Sequence, residues 1–317
     1  MRKIKGILVL LFILSIIMLT SCTGNMKEEI IIFHAGSLSV PMKEIAGEYM
    51  EINPGVNIKL EAAGSVACAR KITELGKPCD IMASADHKVI EKFLMPGYTD
   101  WNIWFATNEL VIAYHDKSKY GDLISPDNWY DILAGNDVVY GRSDPNADPC
   151  GYRTVMMFKL AETYYEKDGL AENLTSKDLN MVRPKEVDLV ALMETRALDY
   201  IVQYKSVCEQ HGLKYISLPP EINLSDPSFE KNYSSVSVDI TGDRPGETIP
   251  IKGSSMIYGI TLLNDAPKRE AAEDFLIFFL GENGRKSIRK NGQSPLSIHL
   301  EGPATNLPDK LTQFFQE

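Results

Sequence analysis

Three observations in this chain predict an α/β protein with two lobes facing a cleft. Short β-branched runs alternate with helical apolar periodicity along most of the sequence, an order that builds parallel sheets with helices on both faces. The alternation breaks and restarts after residues 110–114, and the chain is long enough for two lobes. Three times a strand ends in a turn of small residues that opens a helix, at 33–38, 62–66 and 138–153.

Taken in order, the first residues read as a secretion signal: Arg2, Lys3 and Lys5 precede an apolar run over 7–19. The ending Leu19-Thr20-Ser21-Cys22 is similar to a prokaryotic lipobox, in which Cys22 takes lipid and becomes the mature N-terminus. A transmembrane anchor is the competing reading; the run is short for a span, and small residues before a cysteine favour cleavage. Residues 1–21 are thus a lipoprotein signal peptide and 22–29 a polar tether. Strands are expected at 30–34, 56–62 and 80–83, with helices over 40–50, 66–75 and 87–94. The pattern resumes with strands at 110–114 and at Val138, Tyr200 and Tyr215, with helices between them. It closes with a strand over 255–263 and helices over 269–280 and 284–291. Two crossings, near 110–114 and 234–240, divide the chain into a discontinuous lobe 1 (30–112 and 236–317) and a lobe 2 (113–235). In open α/β sheets ligands lie beyond the carboxyl ends of the strands, so facing lobes define a cleft that closes on its ligand.

Composition narrows the class. The 317 residues hold 33 Lys and Arg against 43 Asp and Glu. The leader carries three of the basic residues and no acidic ones, leaving 30 against 43, or −13, in the mature 296 residues. Such a surface suits neither nucleic acid nor anionic lipid, so an anionic ligand must be held by local dipoles against the overall field. Besides Cys22 there are Cys68, Cys79, Cys150 and Cys208. Outside the cytoplasm these can pair, Cys68 with Cys79 among the possibilities, or remain buried thiols; the sequence does not choose. Neither Cys-x-x-Cys nor His-x-x-x-His spacing is present, which argues against zinc.

The stretch Ser-Asp-Pro-Asn-Ala-Asp-Pro-Cys-Gly-Tyr-Arg (143–153) carries the most information. Its two Asp-Pro pairs force an extended entry, because the residue before proline is pushed from helical angles. Cys150, Gly151 and Tyr152 then open a helix whose free N–H groups make an anion seat, yet Asp148 stands at its threshold. Gly36-Ser37 and Gly64-Ser65 end the first two strands. The glycines permit close approach, and the serines either cap helices or offer hydroxyls to a ligand. A fourth helix start follows Arg183-Pro184-Lys185-Glu186, with Pro184 near the first helical position and Glu186 in the first turn, where it complements the dipole or meets a ligand. Tyr204 ends a strand and begins a helix. It either donates a phenolic hydrogen bond or packs in the cleft. Arg153, a turn into its helix, is expected to pair with a neighbouring acid.

The order Ala-Gly-Ser-Leu (35–38), Gly-Ser-Val and Ala-Arg-Lys-Ile (64–72), Asp-Ile-Met-Ala-Ser-Ala-Asp (80–86), Asp-Pro-Cys-Gly-Tyr-Arg (148–153), Arg-Pro-Lys-Glu-x-Asp-Leu-Val (183–190) and Asp-Tyr-x-x-x-Tyr-Lys-Ser (199–206) resembles the molybdate/tungstate-binding proteins of ABC importers, through the Gly-x-x-Gly-Arg-Lys region at 281–286. It is most similar to the branch with a six-coordinate site. The resemblance implies a type II periplasmic-binding-protein-like fold with a two-segment hinge. It implies an oxyanion site at Gly36, Ser37, Ser65, Asp148, Pro149, Cys150, Glu186 and Tyr204, with backbone N–H groups donated at Cys150 and Glu186. In that branch Asp148 and Glu186 also coordinate molybdenum or tungsten. It implies too a monomeric receptor, lipid-anchored outside the cytoplasm, that needs no cofactor and delivers the anion to a permease and its ATPase. Molybdenum(VI) and tungsten(VI) are hard centres able to expand from four oxygens to six, and carboxylates suit them; against sulfate the same acids only repel. The alternatives are a sulfate or phosphate receptor and, from a different class, a hydrolase using the two acids as an acid–base pair.

Overall fold

The computed structural model describes residues 27–315, apart from 243 and 245. The expected signal peptide (1–21) and the expected lipidation site Cys22 lie outside these residues. Two large sheets and a two-stranded ribbon make up the β-structure of the described residues. The first has six strands in the order β13-β4-β12-β3-β1-β2 and the second five in the order β7-β6-β8-β5-β9. In the first sheet β1 (Glu28–Ala35), β2 (Val56–Ala63), β3 (Ile81–Ser84) and β4 (Asn102–Thr107) come early in the chain, and β12 (Ile257–Leu262) and β13 (Ser294–Glu301) late. The second holds β5 (Leu110–Tyr114), β6 (Tyr140–Ser143), β7 (Val182–Arg183), β8 (Tyr200–Tyr204) and β9 (Lys214–Ser217). Only Asn108 and Glu109 separate β4 from β5. A two-stranded ribbon, β10 (Ser237–Thr241) with β11 (Thr248–Lys252), belongs to neither sheet.

β1 sits between β2 and β3, parallel to both, and is buried at Ile30 and from Ile32 onward. This is the near-continuous apolar run of a strand covered on both faces. The expected parallel arrangement holds for these three strands, but the sheet is mixed: β12 runs antiparallel to β3 and β4, and β13 antiparallel to β4. The direction follows from the path. Strands β1, β3 and β4 run toward the cleft, whereas β12 re-enters the sheet from the cleft side and must run away from it. In the second sheet β5 likewise enters from the cleft and pairs antiparallel with β8 and β9, while β6 is parallel to β7 and β8.

The principal helices are α1 (Ser39–Ile52), α2 (Ser65–Thr73), α3 (Trp129–Ala134), α4 (Pro149–Tyr164), α5 (Leu170–Ser176), α6 (Asp188–Glu194), α7 (Lys205–His211), α8 (Arg269–Leu280) and α9 (Glu282–Lys290). Helix α4 is buried at every position from Pro149 to Phe158, as a helix enclosed on all sides must be. Several expectations shift. β1 starts at Glu28, inside the expected tether, and β6 starts at Tyr140 rather than Val138. The segment over 87–94 is a short α-helical turn, His87–Val89, that widens into a π-helical turn, Ile90–Leu94. Among the described residues no helix is long and apolar enough to cross a membrane.

Candidate functional site

The ends of β1, β2, β6, β7 and β8 deliver every singled-out residue to one buried spot between the sheets. Ser37, Ser65, Cys150 and Tyr204 have no solvent exposure, and Asp148 and Glu186 have 1 % each. Two glycines allow the approach. A Cβ on Gly36 would lie 2.9 Å from Glu186 Oε2 and 3.0 Å from Oε1. One on Gly64 would overlap the Ala147 carbonyl and come within 2.9 Å of Asp148 Cβ. Each Gly-Ser turn of the first lobe therefore faces one acid of the second. The Ala67 amide in the first turn of α2 donates to the Ala147 carbonyl at 3.1 Å, closing the same seam.

Asp148 is the N-cap of α4: the Cys150 amide donates to its Oδ1 at 3.0 Å. Pro149, first in the helix, has no N–H to offer. The Glu186 amide donates to Asp148 Oδ2 at 2.8 Å. Both amides expected to face the oxyanion are thus taken by Asp148, a correction with a simple cause. A capping aspartate at the helix start reaches the second helix amide without strain, and the turn bearing Glu186 lies beside it. A carboxylate offers about four lone-pair sites, so two accepted hydrogen bonds leave Asp148 able to act further as a ligand.

Glu186 differs. Neither of its carboxylate oxygens accepts a hydrogen bond among the described residues. Burial and the neighbouring Asp148 push its carboxyl well above the usual range. Burial raises Asp148 as well, against the opposing hydrogen bonds. Glu186 is not in a first helical turn as expected: α6 begins at Asp188, and residues 184–187 form a turn before it. The Gln203 side chain fixes that turn, donating to the Glu186 carbonyl at 2.9 Å while accepting the Tyr204 amide at 2.8 Å.

The serines are not helix caps. Helix α1 is capped at Leu38 and α2 at Gly64, neither with a side-chain bond. Ser37 Oγ instead accepts from the Tyr258 hydroxyl at 3.0 Å, and Ser65 Oγ from the Ala85 amide at 3.0 Å. Tyr204 Oη accepts from Arg153 Nη1 at 3.0 Å. Arg153 is paired with an acid as expected, and that acid is Asp86 (Nη2 to Oδ2, 3.2 Å). Arg153 also donates to the Ala85 carbonyl at 2.7 Å, and the Tyr152 hydroxyl donates to Asp86 Oδ2 at 2.6 Å. Arg153 and Tyr152 lie on α4, and Asp86 follows β3, so this fully buried cluster ties the lobes together beside the site. Asp86, Asn108, Gln203 and Tyr258 escaped sequence reasoning. Asp86 closes a quoted motif without any stated role, and Tyr258 meets Ser37 across a separation of 221 residues that no local pattern signals.

The remaining chemistry is inert. Cys68, Cys79, Cys150 and Cys208 are free buried thiols; burial raises the Cys150 thiol well above its ordinary value, and buried thiols of this kind are unreactive. Among the described residues no group of three or more His, Cys, Asp or Glu is placed to hold a metal ion.

Buried hydroxyl donors and acids between two α/β lobes are the equipment of a receptor for a small ligand, and the chain belongs to the family of bacterial extracellular solute-binding proteins, matched over residues 30–293. Among its relatives are the molybdate/tungstate-binding proteins WtpA of Pyrococcus abyssi, 48 % identical over 303 residues and covering 87 % of each chain, and of Thermococcus kodakarensis, 43 % identical with 94 % of this chain and 93 % of the relative covered. An uncharacterized solute-binding protein of Petrotoga mobilis is 46 % identical, over 89 % of this chain and 90 % of its own. Of solved structures, the periplasmic molybdate-binding protein of Azotobacter vinelandii shares the fold with a TM-score of 0.59 at 17 % identity, covering 83 % of this chain and 98 % of its own. The sulfate-binding protein SubI of Mycobacterium tuberculosis does so with 0.60 at 12 %, covering 85 % and 87 %.

Proposed function

We propose that this chain is the extracytoplasmic receptor of an ABC importer, capturing molybdate or tungstate in the interlobe site and delivering it to the permease. One observation carries the reading. Three buried hydroxyls, on Ser37, Ser65 and Tyr204, each accept a hydrogen bond and so keep a proton to give, beside a Glu186 carboxylate with no donor on either oxygen among the described residues. The hydroxyls call for acceptor oxygens and the bare carboxylate for an electron-poor centre. A molybdate or tungstate ion has both, since its metal can add carboxylate ligands; sulfate supplies only the oxygens. Asp148 and Glu186 would complete six-coordination, with Gly36 giving Glu186 the room it needs. The relatives named for molybdate and tungstate support the same ligands.

Asp148 holds its position with both oxygens on amides, which suits a ligand-holding group better than the freely protonating base of a hydrolase. In this reading lobe 1 (30–112 and 236–317) and lobe 2 (113–235) close as bodies about the Asn108–Glu109 link and the segment leading to β10. Cys22 carries the lipid that keeps the mature monomer at the outer face of the membrane. X-ray absorption of the tungstate complex tests the core of this reading: six oxygen neighbours are expected, and four would remove Asp148 and Glu186 from coordination. Calorimetric titration should also show tungstate and molybdate bound far more tightly than sulfate or phosphate.

A further inference from the structure

We infer that Asn108 and Tyr258 are positioning residues that fix the direction of the Ser37 hydroxyl proton, an inference that rests on the binding site proposed above. The chain of bonds has a readable polarity. Asn108 Oδ1 accepts the amides of Glu109 at 3.0 Å and Ser206 at 3.4 Å. Amides only donate, so the oxygen of the Asn108 side chain must face them and its nitrogen must face the other way. That nitrogen donates to Tyr258 Oη at 2.9 Å and to Ser206 Oγ at 2.7 Å. With its oxygen occupied by Asn108, the Tyr258 hydroxyl turns its proton to Ser37 Oγ at 3.0 Å. Ser37 in turn is left with its own proton free for an acceptor in the cleft.

The relay crosses the two-residue link between the lobes. Asn108 lies in the link, Tyr258 on β12 of the first sheet, and Ser206 at the start of α7 in the second lobe. Asn108, Tyr258 and Ser37 are all buried, so water does not compete for these bonds. A serine hydroxyl rotates freely when nothing holds it. The relay therefore removes the orientations in which Ser37 would present a lone pair to an incoming oxyanion, where it would repel.

The test is a double-mutant cycle on the full mature protein, read by calorimetry with tungstate, molybdate and sulfate. Tyr258→Phe keeps the ring and removes the donor; it should weaken the bound anion roughly three- to tenfold, the range of one net hydrogen bond. Ser37→Ala should weaken it at least as much. In the Ser37→Ala background Tyr258→Phe should then cost nothing, because it acts only through the serine. A merely structural tyrosine would cost the same in both backgrounds, and that result, or no loss in either, overturns the relay. Failure of the wild-type protein to bind any of the three anions would overturn the site itself and the relay with it. Binding with additive losses would overturn the relay alone.

Discussion

Among the described residues Asp148 is held by two amides and Glu186 by none, so the two acids should respond differently to substitution. Glu186→Ala is expected to weaken tungstate strongly while leaving the helix starts intact. Asp148→Ala should weaken tungstate and also lower the melting temperature, since loss of an N-cap aspartate costs about 0.5–2 kcal/mol. Both should narrow the gap between tungstate and sulfate; calorimetry showing the gap unchanged would make the acids bystanders. The raised Glu186 carboxyl has a second consequence, with a defined sign. Its folded-state pKa lies above that of the unfolded chain, so the unfolded state releases the proton first as pH rises. Stability of the ligand-free protein therefore falls with rising pH between those two values and stays lowered above them. Glu186→Gln should shrink that decline, leaving the part due to buried Asp148, and raise the melting temperature at neutral pH by a few degrees, given roughly 2–4 °C per kcal/mol for chains of 150–250 residues, while losing tungstate affinity. Thermal unfolding across pH 5–8 checks it. That these two acids meet was legible from motif resemblance. Tyr258 and Asn108 were not, because their role depends on contacts that the chain closes only after folding.

The helix starts and strand ends tell a similar story about elements. β1, β2 and β3 were readable as short apolar runs, and α8 was readable over its full length as an amphipathic repeat. β4 and β13 were not assigned, and the cause lies in their composition. β4 carries only a four-residue apolar run, Ile-Trp-Phe-Ala, too short to tell a strand from a buried helix segment, and β13 begins Ser-Pro, which masks the Leu-Ser-Ile-His-Leu-Glu alternation that follows. The turn before α6 was misread as a helix because proline is common at a first helical position; here Pro184 belongs to the turn. The seam where α2 meets the loop before α4 invites a direct test. Gly64→Ala would force the Ala147 carbonyl away, disturb the Ala67–Ala147 hydrogen bond and hold the lobes apart. Tungstate affinity should drop about tenfold or more, and small-angle scattering of the tungstate-loaded variant should show a larger radius of gyration than wild type. An unchanged radius would show that the seam yields.

As a whole, the chain carries 43 acidic residues against 33 basic ones, so long-range attraction cannot draw in the dianion of the proposed function. Capture must depend on contacts within a few ångströms, and affinity should vary little with salt; titrations from 50 to 500 mM sodium chloride check this. Cys22→Ala should release the protein from membranes into the soluble fraction, with its tungstate affinity unchanged. The buried cluster of Arg153, Asp86 and Tyr152 has a further implication, which concerns time rather than equilibrium. With every proposed ligand group sealed from solvent, an anion bound among them could not leave until the seam parted and that ion pair separated. The dwell time of the cargo is then set by how often the lobes open, and its exit is a clocked event that the permease would have to advance.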